Sequence, residues 1–225
     1  MKNCQCKLVL PTQETNTSEK RPKNRFFSRI IAPLLLAIAL LTSAAAVTIA
    51  PTSGTRRLAL RYYWANTPRD VFLECAFPYA EREAVRAAMG EWNAIRGFNN
   101  QYMVTMFLTT STTNNSGRIY YEPNHTYVGH TYHYESDGGA IQRVEVVLNS
   151  DYPFTVGGSS TSFDIQSVVQ HELGHALGVA HCHEEDETCF SSTCSTNVMT
   201  PEIQPGVVRT NFEDYDIGSY KRIYS

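Results

Sequence analysis

The chain has little of what marks a nucleic-acid-binding or repeat protein. Only 18% of its 225 residues are charged, and beyond residue 50 no basic patch with interleaved aromatics occurs. A nucleic-acid surface needs such a concentration of positive charge, so that class of partner is excluded. Internal repeats, long linkers and low-complexity stretches are also missing beyond residue 50. At this length their absence leaves one globular domain with a sizeable core. Charge vanishes altogether between Ile30 and Ala50, and the gap divides the chain: seven basic residues stand against two acidic ones before it, and twelve against twenty after it.

The uncharged stretch is itself informative. Ile30-Ile31-Ala32-Pro33-Leu34-Leu35-Leu36-Ala37-Ile38-Ala39-Leu40-Leu41 is strongly apolar, follows basic residues and runs into Ser43-Ala44-Ala45-Ala46. That order fits a signal peptide cleaved near Ala46 or Ala50. An uncleaved anchor is the rival, since about 20 apolar residues span a bilayer and the basic side would face the cytoplasm. Cleavage is favoured because the small residues weaken hydrophobicity at the far end. The expected organisation is a basic leader over 1–29, a signal peptide or membrane anchor over 30–50, and the domain over 51–225. The domain is then secreted, or membrane-anchored outside the cytoplasm, and touches a membrane only through residues 30–50 if they remain.

Cysteine usage agrees with an oxidising compartment. Cys4 and Cys6 lie in the leader, either lipidated or without a role, which leaves Cys75, Cys182, Cys189 and Cys194 in the domain. Four cysteines give up to two disulfides in three alternative pairings, all open from sequence.

The densest chemistry lies in His171-Glu172-Leu173-Gly174-His175-Ala176-Leu177-Gly178-Val179-Ala180-His181. Ile165, Val168, Val169, Leu173, Ala176 and Leu177 recur at helical spacing, with Ser162 or Asp164 as N-cap. On that helix His171 and His175 share a face and can present ring nitrogens to one ion. Gly178 lets the backbone leave the helix through a positive φ, and the turned chain can return His181 to the same ion. Three protein ligands leave a fourth position open, the arrangement of a catalytic rather than a structural zinc. Glu172, about 100° around the helix from His171, can then take a proton from water and pass it to a leaving amine.

The pattern His-Glu-x-x-His-x-x-Gly-x-x-His, followed by a methionine turn, resembles the signature of the metzincin metallopeptidases. Asn197-Val198-Met199-Thr200-Pro201 is similar to that turn, and the resemblance implies that Met199 forms a hydrophobic floor beneath the zinc. Within the metzincins the chain is similar to the matrixins, the matrix-metalloproteinase-like group. Phe163-Asp164-Ile165-Gln166-Ser167-Val168 resembles the start of their active-site helix, and Phe212 to Tyr224 their C-terminal helix. Upstream the likeness is one of pattern: Arg57 to Tyr63 reads as a first strand. Tyr79 to Ile95, with Val85, Ala88, Met89, Trp92 and Ile95 on one face, reads as a long first helix. The resemblance thus covers roughly 56–225 and implies an α+β zincin domain: a twisted mixed β-sheet with a long first helix, an active-site helix and a C-terminal helix.

It also implies a zinc endopeptidase acting on extended proteins or peptides, with Pro201, Glu202 and Ile203 bordering the pocket for the side chain after the cleaved bond. Cys182 and Thr200 replace the Ser and Tyr that matrixins often carry after the third histidine and the turn methionine. Cys182 is awkwardly placed, beside His181, for a thiolate latch on the zinc. No inhibitory propeptide with a zinc-blocking cysteine is visible. Calcium has no clear motif, and His125, His130 and His133 read as strand or loop residues rather than a second metal site. Gln101 to Asn149, rich in Val, Ile, Tyr and Thr with turns at Asn114-Asn115-Ser116-Gly117 and Asp137-Gly138-Gly139, reads as several strands of one sheet. The resemblance puts an extended substrate beside its edge strand, for which Tyr127–Tyr134 is the candidate. A monomer is the expected state. The alternatives are a catalytically silent zinc-containing extracellular binding module, against which Glu172 counts, and a zinc hydrolase acting on something other than protein.

Overall fold

The computed structural model describes residues 3–5, 7–8, 62–182 apart from 68, 98, 99, 112, 114 and 137, and 194–224. The apolar stretch over 30–50, Cys189 and most of the expected first strand lie outside them. Of that strand only Tyr62 and Tyr63 are described, Tyr63 forming an isolated parallel bridge with Ala140. Among the described residues no helix is long and apolar enough to cross a membrane.

In chain order the elements are β1 (Asn3–Gln5), β2 (Lys7–Leu8), β3 (Arg69–Cys75), α1 (Tyr79–Ala94), β4 (Val104–Thr109), β5 (Gly117–Glu122), β6 (Gly129–Glu135), β7 (Ile141–Asn149), β8 (Phe154–Thr155), β9 (Phe163–Asp164), α2 (Ile165–Ala176), β10 (Glu202–Ile203) and α3 (Asp214–Tyr224). The main sheet has the order β1-β6-β7-β5-β3-β4. β3 is parallel to β4 and β5, β5 is parallel to β7, and β6 returns antiparallel to β7. This is the expected mixed sheet with three helices. β3 itself is a strand the sequence pattern did not single out: Val71, Leu73 and Cys75 face the core while Asp70 and Phe72 face out, an alternation of only seven residues.

α1 packs its Ala84, Val85, Ala88, Met89 and Trp92 face onto α2 and β4, as its periodicity predicts. Trp92 is fully buried and donates its Nε1–H to the Gln170 carbonyl at 2.8 Å, so the two helices are bonded as well as packed. Asn93 fixes α1 to β4 from the other side, accepting from Met106 N and donating to Met106 O, both at 2.8 Å. α2 lies across β6 and β7, buried at every position but the half-exposed Gln166. β7 is buried from Val144 to Asn149, as a central strand with both faces covered must be. The two short N-terminal strands also pair with later ones: β1 runs antiparallel to β6, and β2 parallel to β10. The candidate edge segment Tyr127–Tyr134 falls on β6 and the loop before it, but β1 covers the outer side of β6, so β6 is second from the edge of the sheet.

Candidate functional site

α2 begins where the sequence places it. Asp164 is the N-cap, its Oδ1 accepting from Ser167 N at 2.7 Å, while Oδ2 accepts from Gly157 N at 2.7 Å and ties down the preceding loop. The helix ends through Gly178, whose φ of 86° allows Gly178 N to bond His175 O at 2.7 Å and Val179 N to bond Gly174 O at 2.9 Å. These two bonds make a Schellman motif, which needs a left-handed residue at that point. Distant side chains also bond carbonyls at this end of the helix. Trp64 Nε1 donates to Ala176 O at 3.0 Å, Tyr224 Oη to Leu177 O at 2.8 Å, and His133 Nε2 to His175 O at 2.7 Å. The helix end is therefore fixed by three elements, and the reversal delivers His181.

His171, His175 and His181 converge. Their Nε2 atoms lie 3.1 Å apart for His175 with each partner and 3.3 Å apart for His171 with His181. His171 donates Nδ1–H to Val198 O at 2.7 Å and His175 donates Nδ1–H to Val179 O at 2.8 Å. Each of these neutral rings thus turns an Nε2 lone pair inward, and lone pairs at such distances repel unless a cation lies between them. A tetrahedral zinc held at about 2.0–2.1 Å sets its nitrogen ligands about 3.3–3.4 Å apart, so the three residues fit that ion. Burial, reinforced by the neighbouring imidazoles, pushes His171 down to about 3 and His175 well below the ordinary histidine value, which keeps both in the ligating form. Among the described residues this is the cluster of metal-ligating groups that converges, and it does not include Cys182.

Glu172 points to β6 instead. Its Oε2 accepts from the Thr131 hydroxyl at 2.7 Å, while Oε1 is buried with no partner among the described residues. Burial raises its pKa to about 8, opposed by the Thr131 hydrogen bond. Met199 is fully buried under the helix: a Cβ on Gly174 would collide with Met199 Sδ and lie 2.8 Å from Trp92 Cζ2. Gly174 is thus the opening through which Met199 approaches the ligand helix. The turn is held from α3, where buried Asp216 accepts from Val198 N at 3.1 Å and Met199 N at 3.0 Å. Cys182 N donates to Met199 O at 3.1 Å, and Tyr215 Oη to His181 O at 3.0 Å.

Beside His171 a cavity of about 10 Å³, room for one water, is bounded by Val168, Val198, Thr200, Ile203 and Arg209, with Ser167 behind. Of the three residues expected there, only Ile203 lines it. Glu202 is exposed, because the alternation of β10 turns Ile203 in and its neighbour out, and Pro201, just before the strand, is half-buried. Glu202 contributes its carbonyl, which accepts from Arg209 at 3.0 Å. Cys75 is a buried thiol in no disulfide, so no bridge from it to the later loop is formed. Cys182 is buried with Sγ 3.9 Å from Thr200 Oγ1; Cys189 and the Cys194 side chain lie outside the description. His130 and His133 sit on β6 and His125 in the loop before it, as read from sequence.

Thr131, Asp216, Arg209 and His133 were not legible as site residues. Each reaches the centre from a remote element, and no local spacing marks a strand threonine or a helix aspartate for that purpose. A family model described as Peptidase_M10, matrixin, matches residues 78–225. No curated protein matches the chain.

Proposed function

The chain belongs to the matrixin family of zinc-dependent metallopeptidases, whose model covers about two thirds of it, and from that membership we propose an exported endopeptidase that hydrolyses internal peptide bonds of extended proteins. One observation carries the reading: three imidazole Nε2 atoms 3.1–3.3 Å apart stand beside a buried carboxylate, Glu172, with one oxygen left unpartnered. Zinc held by His171, His175 and His181 would polarise the scissile carbonyl and acidify water at the site. Glu172 takes the proton of the attacking water at Oε1 and returns it to the leaving amine. A pKa near 8 in the buried, metal-free site suits a group that must both accept and give up a proton.

The peptide is held in extended form. β6 offers its outer backbone groups antiparallel, and β10 offers a second, parallel wall. That both accept short strands, β1 and β2, supports a cleft built for β-type pairing. The side chain following the cleaved bond enters the small cavity between His171 and Ile203. Export and cleavage after the apolar segment follow from the leader, and the cysteines outside the description belong to that same proposal.

A silent binding module would need only the three histidines; the engaged carboxylate at Glu172 favours turnover. The test is digestion of an unfolded protein such as casein by the purified, zinc-loaded protein, beside Glu172→Gln and a chelated sample. Cleavage lost in both controls is the expected result. A folded, zinc-containing protein that leaves casein and a broad peptide library intact would overturn the endopeptidase reading.

A further inference from the structure

Gly129 and Thr131 stand two positions apart on β6, hence on one face of the strand, and that face meets Glu172. Thr131 is fully buried, and its Oγ1 lies 2.7 Å from Glu172 Oε2 and 2.9 Å from the Glu172 carbonyl. A hydroxyl has one proton to give, and the bond to a carboxylate is the stronger, charge-assisted one. At position 129 a Cβ would come within 2.7 Å of Glu172 Oε1 and 2.9 Å of its Cγ, with Val168 Cγ1 at 3.0 Å. Real Cβ contacts are not that close, and Glu172 has no free space into which to retreat, being fully buried.

We propose that Gly129 and Thr131 form a seat on β6 that orients the Glu172 carboxylate for proton transfer, Thr131 by engaging Oε2 and Gly129 by leaving clearance for Oε1. Both are positioning residues, and their role rests on the peptidase reading above. The seat lies on the strand whose outer edge the extended peptide would pair with, so one strand sets the position of both the base and the bond it serves. Thr131 pairs with Val146 of β7 on one side and with Cys4 of β1 on the other. A misplacement of about 1 Å in such an arrangement costs on the order of 100-fold in rate.

The test uses Thr131→Val, Thr131→Ser and Gly129→Ala in the purified protein. Val keeps the shape and removes the donor; Ser keeps the donor and removes a methyl. Thr131→Val should lower kcat on the order of tenfold with KM and bound zinc unchanged. Thr131→Ser should recover most of that loss, and Gly129→Ala should lower kcat by more. A second readout needs no turnover: in the metal-free protein, the fall in urea midpoint caused by Thr131→Val should shrink when Glu172 is already Ala. A cleaving parent in which Val is as fast as Thr, or Ser as slow as Val, or in which the two unfolding effects simply add, overturns the seat alone. A parent that cleaves nothing overturns the peptidase reading, and the catalytic role of the seat with it.

Discussion

Asp216 Oδ1 accepts the Met199 amide at 3.0 Å, and its Oδ2 accepts those of Val198 at 3.1 Å and Glu213 at 3.0 Å. Val198 O in turn accepts His171 Nδ1–H at 2.7 Å. One buried carboxylate on α3 therefore holds the turn, and the turn holds the tautomer of the first ligand. Removing it with Asp216→Ala leaves the Val198 and Met199 amides without their acceptor in a buried place, and that of exposed Glu213 to water. The expected cost is about 3 kcal/mol or more, with weaker zinc retention against a competing chelator. Asp216→Asn, which keeps an acceptor oxygen, should lose less on both counts. Equal zinc affinity in all three proteins would sever the link from α3 to His171.

Gly174 is the point where Met199 and Trp92 both reach α2. A methyl there meets the Met199 sulfur and, at 2.8 Å, Trp92 Cζ2. Gly174→Ala would ordinarily favour a helix by up to about 1 kcal/mol. Here overpacking wins, and we expect a net loss of about 1–3 kcal/mol together with reduced kcat, because the Met199 floor must shift under the ligands. Urea unfolding and steady-state kinetics check it. A variant as stable as the parent would show that Met199 moves freely and is no floor.

The metal-free protein should lose stability in acid. Burial moves His130 down to about 4 and His171 to about 3, and lowers His133 and His175 as well. Between about pH 4 and 6.5 the unfolded chain binds protons that the folded one refuses, so stability rises with pH through that window. Glu172, raised from 4.5 to about 8, works the other way: the folded chain holds a proton that the unfolded chain has lost, and stability falls as pH rises toward 8. Asp216, also raised by burial, adds to that opposing side. Four histidines outweigh two carboxylates, and the urea midpoint of chelated protein should peak near pH 6.5. A steady climb from pH 6.5 to 8 would contradict the placement of Glu172 in a dry site.

Much of this centre could be read from the sequence because it is local. The 3.6-residue period places His171, Glu172 and His175 on known sides of α2, and Gly178 announces the reversal that brings His181 back. α1 is equally local, its apolar face running from Val85 to Trp92. What stayed hidden depends on pairings across the chain. Thr131 meets Glu172 only after β6 takes its place in the sheet, and Asp216 meets Met199 only after α3 docks. β3 escaped notice because a short alternating strand carries few residues of pattern. Resemblance alone places Pro201 and Glu202 on the substrate pocket; the cavity beside His171 is lined by Ile203 and by neither of them, Glu202 turning outward on β10 where Ile203 turns in.

Ile203 lines the cavity beside His171, the one proposed to receive the side chain following the cleaved bond. The cavity beside His171 measures about 10 Å³, with Ile203 and Arg209 in its lining, so a large side chain does not fit it as it stands. Ile203 is itself buried, packed against the core rather than free to swing aside. Ile203→Ala removes three carbons from that wall. Each methylene of fit in an apolar pocket is worth about 10–200-fold in selectivity, so the ratio of kcat/KM for peptides with Leu over those with Ala at this position should rise at least tenfold. Glu202→Ala, which points to solvent, should leave the ratio unchanged. Profiling the parent and both variants against one peptide series decides it: a shift with Glu202→Ala and none with Ile203→Ala would mean that the side chain enters elsewhere along the cleft.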